Sequence, residues 1–173
     1  YVIGGFVRDL IMGNPIDDID IMIVGDGISF AKKLAKKLDI KKIISFEKFG
    51  TAIIPNKDIQ IEVATARKEV YNNNSRKPSK VIYTNLKGDL MRRDFTINAM
   101  AMDISKSKFG DFTDPFNGIS DIENKIIKTP LNPDDTFSDD PLRMIRAAYF
   151  SSKLGFEIDE NCFQSMKRQS YRI

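Results

Sequence analysis

Asp18 and Asp20 are two carboxylates separated by one residue, in a run that alternates acidic and apolar side chains. On a β-strand, side chains at positions i and i+2 point to the same face, so these two would lie about 6–7 Å apart. Oxygen ligands at that spacing suit a hard cation such as Mg²⁺, which keeps positions free for water and phosphate. A solvent-facing acidic edge is the alternative interpretation of the same pattern.

A third carboxylate, Glu62, lies in a second strand-like run. If the two strands are neighbours, Glu62 joins Asp18 and Asp20 at one site. Aspartate is uncommon in strands, and like charges on one face repel each other unless a cation is present. The alternative for Glu62 is an exposed charge on a strand.

Two glycines, Gly4 and Gly5, separate the strand-like start of the chain from a helical segment that contains Arg8. Free backbone N–H groups at a helix N-terminus favour an anion, and glycine lets phosphate oxygens approach closely. Arg8 would add a charge-assisted contact one turn into the helix. These features predict a phosphate site near the acidic pair, although a Gly-Gly pair alone is more often a simple turn.

The composition excludes several kinds of chemistry. The 173 residues include no histidine and a single cysteine, Cys162. Ser-His-Asp and Cys-His catalysis, histidine-zinc sites, multi-cysteine zinc sites and an internal disulfide are therefore ruled out. Catalysis must rest on carboxylates, arginine, lysine and metal ions. The net charge of +3 is too small to indicate nucleic acid by itself.

No apolar run approaches the roughly 20 residues of a membrane span, so we expect no membrane partner. The single cysteine fits a reducing compartment, and we expect a cytoplasmic protein. Because the chain begins with Tyr1 rather than methionine, we also expect a fragment of a longer protein.

Hydrophobic periodicity predicts a mixed α+β fold with a helical region that begins near residue 139. The predicted strands are 1–3, 19–24, 42–46, 51–55, 59–65, 101–104 and 110–112. The predicted helices are 6–12, 30–38, 86–91 and 139–154. A hairpin turn is predicted at 56–58, and a polar, mobile loop at 71–80. Four lysines on the second helix form either a solvated face or an RNA contact: Lys32, Lys33, Lys36 and Lys37.

Five segments, taken in order, resemble one family: GGFVRDLIMG with DDID, IEVATARKE, RRDFTINAMA, DPFNG and SDDPLRMIRAAYF. They cover about residues 1–157 and resemble class II CCA-adding enzymes (tRNA nucleotidyltransferases) and bacterial poly(A) polymerases, of the polymerase-β-like nucleotidyltransferase superfamily. The resemblance implies a catalytic head domain over residues 1–137, with a mixed sheet flanked by helices. Residues 138–173 would begin an all-helical neck domain.

The resemblance also implies a role for each matching position. Asp18 and Asp20 correspond to catalytic, metal-binding aspartates, and Glu62 to the third catalytic carboxylate. The implied nucleotide-binding positions are Gly4, Gly5, Arg8, Arg93, Asn98, Asp140, Arg143 and Arg146. The alternative for Arg93 is a surface pair with an aspartate at a helix end.

The chemistry of Asp140 and Arg143 suits a reader of the incoming base. They are three residues apart and thus neighbours on one helix face, with Arg146 a turn further. Cytosine and adenine each present an amine beside an unprotonated ring nitrogen, which a carboxylate and a guanidinium can pair. Guanine and uracil would leave both protein groups wrongly paired. The alternative is that Asp140 merely caps a helix whose first residue is Pro141.

The implied reaction is a two-metal phosphoryl transfer with Mg²⁺, in which C and/or A from CTP or ATP is added to the 3′ end of tRNA and pyrophosphate is released. A poly(A) polymerase, CC-adding or A-adding enzymes, and a non-catalytic RNA- or nucleotide-binding relative remain as alternatives. Tyr149 departs from the pattern, since family members often have an arginine there.

Overall fold

A seven-stranded mixed sheet forms the centre of the structure, a computed structural model that describes residues 1–57, 59–72 and 75–173. The spatial order of its strands is β3-β4-β5-β2-β1-β8-β9. Strands β2 and β5 are parallel, and the other described neighbours in this sheet are antiparallel. The seven strands are β1 (Val2–Ile3), β2 (Asp18–Ile23), β3 (Ile44–Phe46), β4 (Thr51–Ile54), β5 (Gln60–Thr65), β8 (Ala101–Met102) and β9 (Phe112–Thr113).

Two amphipathic helices cover one face of this sheet. Helix α1 (Gly5–Met12) contributes Val7, and helix α2 (Gly27–Lys37) contributes Ala31 and Ala35 to a core shared with β2, β4 and β5. The side chain of Asp26 caps α2 by accepting the N–H of Ser29 at 2.9 Å, which fixes where this helix begins. The lysine side of α2 points to solvent.

The remaining helices lie beyond the central strands in the chain. They are α3 (Leu86–Met91), α4 (Gly118–Glu123), α5 (Pro133–Asp139), α6 (Leu142–Leu154) and α7 (Glu160–Gln169). Short 3₁₀ turns occur at Glu47–Phe49, Thr96–Asn98 and Ser170–Arg172. None of the helices in the described ranges is long and apolar enough to cross a membrane.

A second core joins the segment around Phe95 to the C-terminal helices. Phe95, Phe137 and Met144 are almost fully buried together. A parallel strand pair, β10 (Ile126–Ile127) with β11 (Glu157–Ile158), ties the same regions. The predicted boundary between residues 137 and 138 thus runs through a continuous core, and the division into head and neck stays a prediction.

The mixed α+β prediction is confirmed, but one predicted loop is wrong. The stretch 71–80 belongs largely to an antiparallel hairpin of β6 (Arg67–Asn72) and β7 (Ser75–Tyr83). The prediction failed because this polar segment shows no apolar alternation. Such alternation is not required here, since the two strands lie outside the main sheet. Asn73 and Asn74 lie outside the described residues.

The predicted turn at 56–58 does connect two antiparallel strands, β4 and β5, although Asp58 is outside the described part of the chain. The helix predicted over 139–154 begins at Leu142, because a separate helix, α5, ends at Asp139.

Candidate active site

The parallel pairing of β2 with β5 places Asp20 directly beside Glu62. Asp18 precedes Asp20 on the same face of β2, and all three carboxylates line one cleft. Ile21 and Val63 are buried next to them on the same strands, so the acidic residues stand on a packed and rigid support. The sequence-based condition, that the two strands be neighbours, is met.

Gly4 brings the start of α1 against these carboxylates. Its φ of +69° is one that residues with side chains rarely adopt. A Cβ atom on Gly4 would lie 3.0 Å from Nη1 of Arg93 and 3.2 Å from Oδ2 of Asp20. The position therefore requires glycine both for its backbone conformation and for the close approach of charged groups. The glycine turn and the acidic strand meet, as the sequence predicted.

Arg8 is buried, with 4% of its surface exposed, and several neighbouring side chains bind its guanidinium group. Its Nη1 donates to Oδ1 of Asn98 at 2.7 Å, and its Nη2 to Oδ2 of Asp9 at 2.6 Å. The guanidinium carbon lies 5.2 Å from the centre of the Phe150 ring, a cation–π distance. Arg8 therefore presents a fixed positive charge one turn inside α1.

Arg93 is fixed by a buried carboxylate that the sequence did not reveal. Its Nη2 donates to Oδ2 of Asp89 at 3.2 Å, and Asp89 is 1% exposed. Arg92 also donates to Asp89, from Nη2 at 2.9 Å. The Nε of Arg93 is buried and has no hydrogen-bond partner within the described ranges. Asp89 thus sets the direction in which Arg93 faces Gly4 and Asp20.

Asp94 links the cleft to helix α6. Its Oδ2 accepts from Nε of Arg146 at 2.7 Å, and its Oδ1 from Nδ2 of Asn98 at 3.2 Å. The guanidinium of Arg146 lies 5.2 Å from the Phe150 ring, at the same distance as that of Arg8. Asn98 thus joins the two sides, because it accepts from Arg8 and donates to Asp94.

Asp140 and Arg143 do not line this cleft. Oδ1 of Asp140 accepts the N–H of Leu142 at 3.1 Å, which agrees with the capping alternative. Arg143 is buried and donates to the carbonyl oxygens of Arg92 at 2.8 Å and Thr136 at 3.4 Å. Arg146 lines the cleft, as predicted for a residue that contacts the nucleotide. The role of Asp140 and Arg143 as base readers stays a prediction.

The cleft has a volume of about 420 Å³. Six of its lining residues were not among the predicted site residues: Asp9, Asp17, Asp94, Tyr149, Phe150 and Lys153. Asp9 and Asp94 could have been found as charges beside predicted arginines. The aromatic Phe150 and the basic Lys153 follow Arg146 on α6, and helical periodicity places them on related faces. The complete lining is Gly4, Gly5, Arg8, Asp9, Asp17, Asp18, Asp20, Glu62, Arg93, Asp94, Asn98, Arg146, Tyr149, Phe150 and Lys153.

The electrostatics of the carboxylates fit a cation. The pKa of Asp20 is raised to about 6, chiefly by burial and also by the charges of Asp18 and Glu62, against the opposing effects of Arg93 and Arg8. A divalent cation would relieve this repulsion, and hard oxygen donors on one strand face suit it. Among the described residues, no group of three or more acidic, histidine or cysteine side chains is arranged to hold a metal ion. A cation in this cleft would therefore need further ligands from water or substrate.

The mixed sheet flanked by helices matches the head domain of CCA-adding enzymes. A family model described as the poly A polymerase head domain matches residues 1–128. The chain belongs to this family, as its sequence segments indicated. Nucleotidyltransferases of this family generally depend on a divalent metal.

Individual relatives agree with this assignment. The chain is 38% identical over 168 residues to an A-adding tRNA nucleotidyltransferase of Aquifex aeolicus, covering 97% of this chain and 20% of that protein. It is 39% identical over 174 residues to a CCA-adding enzyme of Bacillus pumilus, covering 100% of this chain and 41% of the relative. The chain thus spans less than half the length of either protein.

A solved structure is also similar: a tRNA nucleotidyltransferase complexed with a primer tRNA and an incoming ATP analogue. The TM-score is 0.85 with 33% sequence identity, over 99% of this chain and 46% of the other. At this identity and coverage the likeness extends to the whole described fold, including the C-terminal helices.

Proposed function

We propose that the full-length protein is a template-independent RNA nucleotidyltransferase that adds C and/or A, from CTP or ATP, to the 3′ end of tRNA with release of pyrophosphate. The observation that carries this proposal is the approach of the Asp20 carboxylate to Gly4 at the start of α1, with Arg93 beside both. Cation ligands and phosphate ligands then share one cleft, as nucleotidyl transfer requires.

Asp18 and Asp20, with Glu62 on the neighbouring strand, are the proposed catalytic residues and would hold Mg²⁺. Mg²⁺ is the ion proposed because the available ligands are carboxylate oxygens and leave room for water and phosphate. When bound, such an ion activates the RNA 3′-hydroxyl and offsets charge that develops on the phosphate. The packed strands β2 and β5 keep the carboxylates in position before substrate arrives.

The phosphates of the nucleotide would lie at the start of α1. The N–H group of Gly5 supplies a donor, whereas that of Gly4 already donates to the carbonyl oxygen of Met100 at 3.3 Å. The absence of side chains at both positions leaves space for phosphate oxygens. Arg93 and Arg8 supply positive charge to the leaving pyrophosphate. Each arginine is already held by a carboxylate or amide, so little ordering is needed when the nucleotide binds.

Selection of the base is proposed for Asp140, Arg143 and Arg146 on the α5–α6 segment. Asn98 supports this region through Asp94, which binds Arg146. Carboxylate and guanidinium groups can pair the Watson–Crick edges of C and A and mispair those of G and U. In the structure Asp140 and Arg143 bond to backbone groups, so the proposal requires that they turn toward the bound base.

The choice among CCA addition, A addition and CC addition defines the most useful experiment. The relatives include both A-adding and CCA-adding enzymes. Purified full-length protein is incubated with tRNAs that end before CCA, after the first C and after the second C, and with each NTP in turn. CCA addition predicts extension of all three, whereas A addition predicts extension of the last alone. If none of the three tRNAs is extended with any nucleotide, the proposed function is refuted.

A poly(A) polymerase is the second candidate, because the matching family model carries that description. It would extend an unrelated RNA 3′ end with several adenylates, which the same assay detects on an added oligoadenylate primer. Since the substrates are cellular RNA and nucleotides, we propose a cytoplasmic location for the protein.

A further inference from the structure

The rim of the cleft carries an exposed aromatic side chain, Tyr149, on helix α6. Tyr149 is 53% exposed, although it lines the same cleft as the carboxylates. Its neighbour Phe150 is 7% exposed. The two ring centres lie 5.3 Å apart with an angle of 62° between the planes, so the buried ring meets the exposed ring edge to face.

The Phe150 ring, which packs against Tyr149, is itself fixed by several contacts. Two guanidinium groups, those of Arg8 and Arg146, each lie 5.2 Å from the centre of its ring. Phe95 also meets the Phe150 ring edge to face, at 5.9 Å. The part of α6 that carries Tyr149 is therefore held in place through Phe150. An aromatic side chain has only two side-chain torsions, so Tyr149 would lose little conformational entropy when it binds a ligand.

The lining of the cleft combines charged and aromatic groups. Arg8, Asp20 and Arg93 are buried or half-buried charged groups, and the Tyr149 ring is exposed in the same cleft. A nucleoside triphosphate has the same division, with a charged end and an aromatic end. Of the three predicted base readers, Arg146 lines the cleft, whereas Asp140 and Arg143 do not.

From this arrangement we propose that Tyr149 stacks on the heterocyclic base of the nucleotide bound in the cleft. The inference rests on the proposed function, because it concerns the same site, and it adds a substrate contact at a position where the family often has arginine. The Nζ of Lys153 lies 5.8 Å from the centre of the tyrosine ring, within cation–π distance. Stacking accepts every base, so Tyr149 contributes affinity for ATP and CTP alike and leaves the choice of base to other groups.

Fluorescence provides a direct test, because the chain contains no tryptophan. Tyr149→Trp in the full-length protein keeps an aromatic ring at the rim and introduces a local reporter, with the parent protein measured in parallel as background. ATP and CTP should both quench the added fluorescence, whereas inorganic triphosphate, which has no base, should not. Absence of quenching by either nucleotide, or equal quenching by triphosphate, overturns the stacking contact.

Kinetics give an independent readout. Tyr149→Ala should raise KM for ATP and CTP by about tenfold with little change in kcat, as expected for loss of one base–aromatic contact. Tyr149→Phe should restore the parent KM, while Tyr149→Leu, which is apolar but has no ring, should resemble alanine. Tyr171→Ala is the matched control, since Tyr171 is 83% exposed and lies outside this cleft. An unchanged KM in Tyr149→Ala would contradict the proposal.

The two tests separate this inference from the proposed function. If the parent protein incorporates no nucleotide, the proposed function fails, but quenching of the tryptophan at position 149 still reports whether a base stacks there. If the parent protein is active and neither quenching nor the KM change appears, the stacking contact alone is refuted.

Discussion

Gly4 lies so close to Asp20 that a single added methyl group would stand 3.2 Å from the Oδ2 atom of its carboxylate. The same methyl group would be 3.0 Å from Nη1 of Arg93. The proposed phosphate-binding side and the proposed cation-binding side of the cleft are therefore in direct contact at one backbone position. Changes at this position should disturb both sides together.

We expect Gly4→Ala to abolish most nucleotide incorporation, because the new side chain both strains a backbone with φ of +69° and displaces Arg93 or Asp20. Its cost in unfolding free energy should be about 1–3 kcal/mol. Gly13→Ala is the control: Gly13 has φ of +68° and nothing within 4 Å of an added Cβ. It should lose some stability but keep activity. Equal activity in the two variants would contradict the steric interpretation.

Asp20→Asn should abolish incorporation and at the same time stabilise the metal-free protein. The pKa of Asp20 is raised to about 6 by burial and by Asp18, so its charged form is disfavoured in the fold at neutral pH. Mg²⁺ should raise the Tm of the parent protein and have little effect on the variant. Asp39→Asn, on an exposed residue outside the cleft, should behave as the parent in both assays. Normal turnover by Asp20→Asn would refute the metal assignment.

Asp140→Asn should relax the choice of base, because an amide can donate as well as accept and would tolerate the carbonyl groups of G and U. The measurement is incorporation of GTP and UTP relative to ATP and CTP. Arg143→Ala should also relax selection, but at a cost of about 1–3 kcal/mol in unfolding free energy, since it removes the side-chain donor to the carbonyl oxygens of Arg92 and Thr136. Unchanged rejection of GTP and UTP by both variants would count against base reading.

Asp89→Asn should lower the free energy of unfolding by about 2–4 kcal/mol at neutral pH, because it removes one charge from a buried cluster. Burial alone would raise the pKa of Asp89, but the charges of Arg92 and Arg93 and the N–H of Arg67 outweigh it and hold the pKa below its usual value. A lowered pKa means that this stabilisation is present above the unfolded pKa of about 3.9 and disappears as pH falls through the folded value.

Urea unfolding at pH 7 and at successively lower pH tests this expectation. The difference between parent and Asp89→Asn should shrink as the solution becomes more acidic. Asp134→Asn, which removes an exposed pair with Arg168, should give a clearly smaller loss at pH 7. A difference that does not change with pH would show that Asp89 does not act through its charge.

The parts of the site that could be predicted are those in which local pattern fixes geometry. Alternation places Asp18 and Asp20 on one face of a strand, and Gly4 marks the break before a helix. The nearness of Glu62 was conditional, because sequence alone does not reveal that β5 pairs with β2 in register. The hairpin of β6 and β7 was missed, since its polar residues carry no strand periodicity.

Contacts between distant side chains were beyond prediction for a different reason. Asp89 was recognisable only as part of a short helix, yet its carboxylate holds Arg92 and Arg93. The sequence placed Arg143 on a helix face but could not show that its guanidinium donates to carbonyl oxygens of two other segments. Long cationic side chains can reach several partners, and burial decides among them only after the chain has folded.

The parallel pairing of β2 with β5 also has a consequence for the order of events during folding. Asp20 and Glu62 are separated in the chain by α2, β3 and β4, so their strands can meet only through a crossover that encloses this whole segment. If β2 and β5 pair late in folding, the carboxylates of Asp20 and Glu62 come together only when apolar packing is already available to offset their repulsion. The proposed acidic site would then form only when the sheet is complete, because a partly folded chain would not yet have Glu62 beside Asp18 and Asp20.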